Sequence, residues 1–153
     1  MINRQNYLGV REYLHYHRDV LQHDPETVRR TKSWLHLLLK WADDTGFDDG
    51  PAIRPVFPQY LVSVARGDRP VEKLSRGGVS RTCQTARAFF EWLRIAYPRQ
   101  YSKLSDAWVR TIQPPRMADE PGKEHEAVSV NIVQKLIAVP DNGNLRVRRD
   151  KAA

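Results

Sequence analysis

The chain has 153 residues, 41% of them hydrophobic and 28% charged, which suits one globular core and excludes both a disordered polymer and a membrane protein. Its 25 Lys and Arg outnumber its 18 Asp and Glu, for a net charge of +7, and a balance of that size points to a polyanionic partner. One cysteine, Cys83, leaves no internal disulfide; with no secretory pattern at the N-terminus, the expectation is a reducing cytoplasm.

Apolar and aromatic residues at Tyr7, Val10, Leu14 and Leu21, with Tyr13 and Val20 beside them, predict a first helix over Tyr7–Leu21. Asp24-Pro25-Glu26 is a start signal: a capping acceptor, a proline in the first turn, then an acid near the positive helix end. A second helix therefore runs from Pro25 to about Asp44. Its inner stripe is Val28, Thr31, Leu35, Leu38 and Ala42, widened by Trp34 and Trp41, and Gly46 serves as its C-terminal cap. Asp43, Asp44, Asp48 and Asp49 belong to a solvated loop that continues through Gly50, Pro51 and Pro55. Phe57, Tyr60, Leu61 and Val64 share a face of a short helix over Val56–Ala65, and Gly67-Asp68-Arg69-Pro70 is a turn.

Ser75 caps a fourth helix ending near Ala96, where Pro98 stops it. Val79, Cys83, Ala86, Phe89 or Phe90, and Leu93 face inward, with Trp92 alongside. Leu104–Val109 adds a turn or two. The fold class is therefore all-α, a small bundle of four main helices, over residues 1–112. Gln113–Glu126 shifts to Pro, Gly and charged residues and reads as a linker. The piece from 127 to 153 holds a short helix capped by Ser129 and a turn at Asp141–Asn144, and it ends in an element with no room to finish.

The cations are not evenly spread. Arg66 to Arg94 holds seven basic residues against three acids. DNA contact needs fixed cations for phosphates and short or forked polar donors for base edges. The second helix offers Thr27, Arg29, Arg30, Lys32 and Ser33, with His36 beyond them. The fourth offers Arg76, Ser80, Arg81, Gln84, Thr85 and Arg87. A solvated helix face accounts for the same residues on charge alone, although such faces are richer in Glu and Lys. The tryptophans are expected in the core, Cys83 as a packed thiol, and the histidines without metal: His15 and His17 point apart, and His15 with Asp19 is only two ligands. No cofactor and no active site are expected.

In three places the chain resembles the tyrosine recombinase, or phage integrase, family. Asp24-Pro25-Glu26-Thr27-Val28-Arg29-Arg30, continuing to Leu35, Leu38 and Trp41, is similar to the family's second helix. Val79 through Cys83, Ala86 and Phe89 to Trp92 is similar to its fourth. Pro114-Pro115-Arg116 resembles the end of its core-binding domain. Ala127-Val128-Ser129, Val133 and Leu136-Ile137 look like the opening of its catalytic domain, and Arg149-Asp150-Lys151-Ala152-Ala153 like the run before the first catalytic arginine. The chain departs from the pattern at Gly78, at Ile132 and in the long Asp43–Pro55 loop.

The resemblance implies a SAM-like helical core-binding domain, followed by a truncated start of the catalytic domain. Its partners would be double-stranded DNA and other recombinase protomers on that DNA, with a monomer off it and no membrane. Every catalytic position would lie beyond Ala153. The rival expectations are a helical protein–protein interaction module and a stand-alone DNA-binding regulator.

Overall fold

Helices α1 (Arg4–His15), α2 (Pro25–Ala42), α4 (Arg76–Ala96) and α5 (Asp106–Arg110) each start on a polar side chain that accepts from an otherwise unpaired amide. Asn3 takes the amides of Gln5 and Asn6, Asp24 that of Thr27, Ser75 that of Gly78, and Ser105 that of Trp108. A further helix, α3, spans Phe57–Ala65. This computed structural model describes residues 1–65 and 74–116, all within one compact unit, Met1–Met117. Among them there is no strand, and the fold is all-α. The Gly67–Pro70 turn, the linker from residue 117 on and the piece over 127–153 lie outside the described residues.

The 18 residues of α2 bury Thr31, Leu35, Leu38 and Ala42 on one stripe, with Leu37, Leu39 and Trp41 beside it. The 21 residues of α4 bury Val79, Cys83, Ala86, Phe89, Phe90 and Leu93, so both phenylalanines face inward. α4 packs against α1, α2, α3 and α5, and α2 also packs against α1 and α3. Aromatic edges join these helices. The Phe89 ring lies 5.2 Å from Tyr13 and 5.6 Å from Phe47, and Phe90 lies 5.1 Å from Trp108. Each fully buried Leu or Phe contributes about 1.5–3 kcal/mol relative to exposure. The tryptophans divide: Trp41 is buried and donates from Nε1 to the Pro55 carbonyl at 2.8 Å, while Trp34, Trp92 and Trp108 are half-buried.

The structure corrects the expected first helix. α1 begins at Arg4 and gives way after His15 to a π turn, Tyr16–Val20, in which the Leu21 amide donates to the Tyr16 carbonyl at 3.1 Å. The wider turn breaks the helical phase. Val10 and Tyr13 remain buried, but Val20 and Leu21 stay 65% and 42% exposed, as does Tyr7 at the other end. Within the turn, His17 Nδ1 faces the Nδ1 of His23, which lies beyond it, at 3.0 Å.

The end of α2 is also corrected. Asp43, not Gly46, closes the helix: at φ 49° its amide donates to the Leu39 carbonyl. Gly46 instead opens a 3-10 helix, Phe47–Ala52, inside the stretch expected to be a solvated loop. Phe47 is 1% exposed there. The cause lies in α1, where the Asn6 carboxamide donates to the Thr45 carbonyl and accepts from the Phe47 amide, both at 2.8 Å. The aspartates keep to the outside, and Lys103 pairs with Asp49 at 2.7 Å.

Candidate nucleic-acid interface

Because α2 turns Thr31, Leu35, Leu38 and Ala42 inward, helical periodicity sends Arg29, Lys32, Ser33 and His36 outward, and all four are exposed. Arg30 is exposed too, but it stands about 100° around the helix from Arg29. Both arginines are held by Glu26, which accepts two bonds from Arg29 at 2.9 Å and one from Arg30 at 3.0 Å. The two guanidiniums hold the Glu26 carboxyl well below its usual range, at about 2, so it is charged at every working pH. The two hydroxyls of the set are engaged within α2. Thr27 donates to the Asp24 carboxylate at 2.7 Å, and Ser33 to the Arg29 carbonyl at 3.2 Å. Either must rotate before it can donate to a ligand.

On α4, Arg76, Arg81 and Gln84 are exposed. Arg81 and Gln84 are three residues apart, on the side opposite Ala86, and Arg81 has no ion-pair partner among the described residues. The open face is narrower than the sequence implies. Ser80, Thr85 and Arg87 fall on its flanks and are half-buried, and the Arg87 Nε is buried without a hydrogen-bond partner.

Between α1 and α2 lies a groove of about 740 Å³. It brings Arg29, Lys32 and Ser33 together with His36 and, across from them, Arg11 and His15 of α1. Arg30, Thr27 and the six α4 positions do not line it; Leu74, just ahead of α4, does. The sequence brings up His15 only as a rejected metal ligand and Arg11 not at all, although their i, i+4 spacing puts them on one face of α1. No carboxylate among the described residues lines the groove. Partial burial, then Lys40 and Lys32, holds the His36 imidazole below its usual range, so it is neutral at pH 7 and gains charge on acidification.

Other chemistry is quiet among the described residues. Cys83 is fully buried, and desolvation pushes its thiol up to about 11, so it is not a thiolate at neutral pH. No group of three potential metal ligands gathers among the described residues, and Asp19 bonds Arg18 at 2.6 Å rather than joining His15. No described helix is long and apolar enough to cross a membrane. No family model, no curated protein and no solved structure matches this chain.

Proposed function

We propose that this chain binds double-stranded DNA through the outward faces of α2 and α4, as the core-binding domain of a tyrosine recombinase. The observation that carries the reading is the exposed row Arg29, Lys32 and His36 on α2, with Arg11 and His15 across the groove and no described carboxylate between them. Two fixed cations, Arg29 and Lys32, and an imidazole donor that charges only on acidification suit phosphates spaced along a duplex. Exposed Arg81 and Gln84 add forked and amide donors of the kind that read base edges. The resemblance of α2 and α4 to the family's second and fourth helices supports the same faces, a SAM-like bundle, and a catalytic domain opening near residue 127. On that reading the chain grips DNA beside other protomers and contributes no catalytic residue of its own.

A gel-shift titration of the chain with random-sequence duplex at several salt concentrations tests this. Six neutralised phosphates give a log–log slope near about −5. A slope near zero, or no shifted species at low salt, counts decisively against the proposal.

A further inference from the structure

The α1–α2 groove has a feature that phosphates do not require. Its floor is apolar: Val10 and Leu14 of α1, Leu37 and Leu39 of α2, and Leu74 before α4. Leu14 and Leu74 are only half-buried, and Tyr7 at one end is 53% exposed. The rim is cationic. Arg11 and Lys32 are exposed and have no ion pair among the described residues; Glu26 engages Arg29 from outside the groove. The α2 lining runs from Arg29 to Leu39, about 15 Å at 1.5 Å per residue, which matches roughly three turns of a second helix.

We infer that this groove is a docking site for an acidic amphipathic helix of a partner protein, its leucine-type face on the floor and its carboxylates on Arg11, Lys32 and Arg29. Charge complementarity selects that occupant. A second copy of this chain would bring cations against cations, and a duplex leaves Leu14 and Leu74 uncovered. Helix-in-groove recognition uses this division, with apolar anchors at i, i+3, i+4 and i+7 for affinity and charges for orientation. The site shares Arg29 and Lys32 with the proposed DNA face, so an occupant would also compete with DNA. The docking itself stands without the DNA reading.

The test uses the full chain and a fluorescein-labelled peptide of about 14 residues, leucines at i, i+3, i+4 and i+7 and glutamates elsewhere. A scrambled peptide of the same composition is the comparison. Anisotropy should show micromolar binding of the patterned peptide and at least tenfold weaker binding of the scramble. Amide shifts in a ¹⁵N-labelled sample should cluster at Leu14, Leu37, Leu39 and Leu74. Leu14→Lys and Arg11→Glu, each checked for unchanged thermal unfolding, should weaken peptide binding at least tenfold, whereas Arg81→Glu on α4 should not. Equal binding of the scramble, absence of binding, or equal loss in Arg81→Glu overturns the inference. Concentration-dependent dimerisation abolished by Leu14→Lys also overturns it, in favour of a second copy. Leu14→Lys adds a cation to the groove and should not weaken duplex binding, so failure of the docking site and failure of the DNA reading give different results.

Discussion

Glu26 and Arg29 are joined by two parallel hydrogen bonds, Nε to Oε2 and Nη2 to Oε1, each 2.9 Å long. The same carboxylate also takes Arg30, so one acid restrains two candidate phosphate ligands. Such an exposed pair adds little to stability but sets where the guanidiniums point. Removing the charge should release both arginines and remove a repulsion from phosphate. We expect Glu26→Gln to bind duplex DNA about three- to tenfold more tightly at low salt and to steepen the salt slope by about one unit. Weaker binding would place Glu26 as an organiser of the surface rather than a brake on it.

Charge reversal separates the faces. Arg81→Glu should weaken DNA binding by at least about tenfold, and Arg30→Glu by a comparable factor, as loss of a phosphate or base contact does. Lys103→Glu should have little effect, because Lys103 pairs with Asp49 among the aspartates. The measurement is a fluorescence titration at fixed salt. Equal losses in all three variants would show a general charge effect with no defined surface.

The pH dependence follows from two histidines. His17 lies below the usual 6.5 through burial and then through His23, and His36 lies below it through burial, Lys40 and Lys32. A lowered folded value means that the folded state binds fewer protons than the unfolded one. The contribution to stability is therefore present above about pH 6.5 and is lost as pH falls through the lowered values. DNA should act in the opposite sense on His36, because phosphate favours the imidazolium. Affinity for duplex should rise from pH 7.5 to 5.5 while thermal stability falls, and His36→Ala should flatten the rise in affinity. Affinity that does not change with pH would remove His36 from the interface.

Asn6 carries the junction between α1 and the segment after α2. It is 1% exposed, with the Thr45 carbonyl and the Phe47 amide both paired to its side chain. Asn6→Ala strands the buried Phe47 amide and the half-buried Thr45 carbonyl and should cost about 2–3 kcal/mol in urea unfolding. A loss below about 0.5 kcal/mol would mean that water replaces the amide without penalty.

The start of α2 is legible because Asp24-Pro25-Glu26 acts locally, and the inner face of α4 because its apolar spacing holds over several turns. The outward cations of α2 follow from the same periodicity. Asn6 is not legible: a buried amide gives no periodic signal, and its partners lie 39 and 41 residues away in sequence. Phe47 is hidden among aspartates for the same reason, since it is drawn in by Asn6, Phe89 and Phe90 rather than by a pattern of its own. The groove escapes because it needs α1 and α2 side by side, and only α2 announces its polar face. The half-burial of Ser80, Thr85 and Arg87 depends on neighbours that packing alone decides.

Two glycines should respond in opposite ways to a methyl group. At Gly9, inside α1, a Cβ would sit 3.5 Å from Leu93 Cδ2, an ordinary contact, so Gly9→Ala should stabilise by about 1 kcal/mol through helix propensity. At Gly50 it would meet Trp108 Cη2 at 2.9 Å, and that ring is already packed on Phe90. Gly50→Ala should cost about 1–3 kcal/mol through overpacking. Calorimetric melting of both variants checks the pair.

The π turn at Tyr16–Val20 inserts one surplus residue into the winding of the chain. One residue is worth about 100° of rotation, so everything between His15 and His23 is displaced from the bearing that α1 would have given it. The corner therefore acts as a slack loop in a rope. A relative lacking one residue here could still begin the next helix at the Asp24 cap, with the interior untouched and only the imidazole pair lost. Length variation between chains of this fold should accordingly gather at this corner, away from the α2–α4 contact.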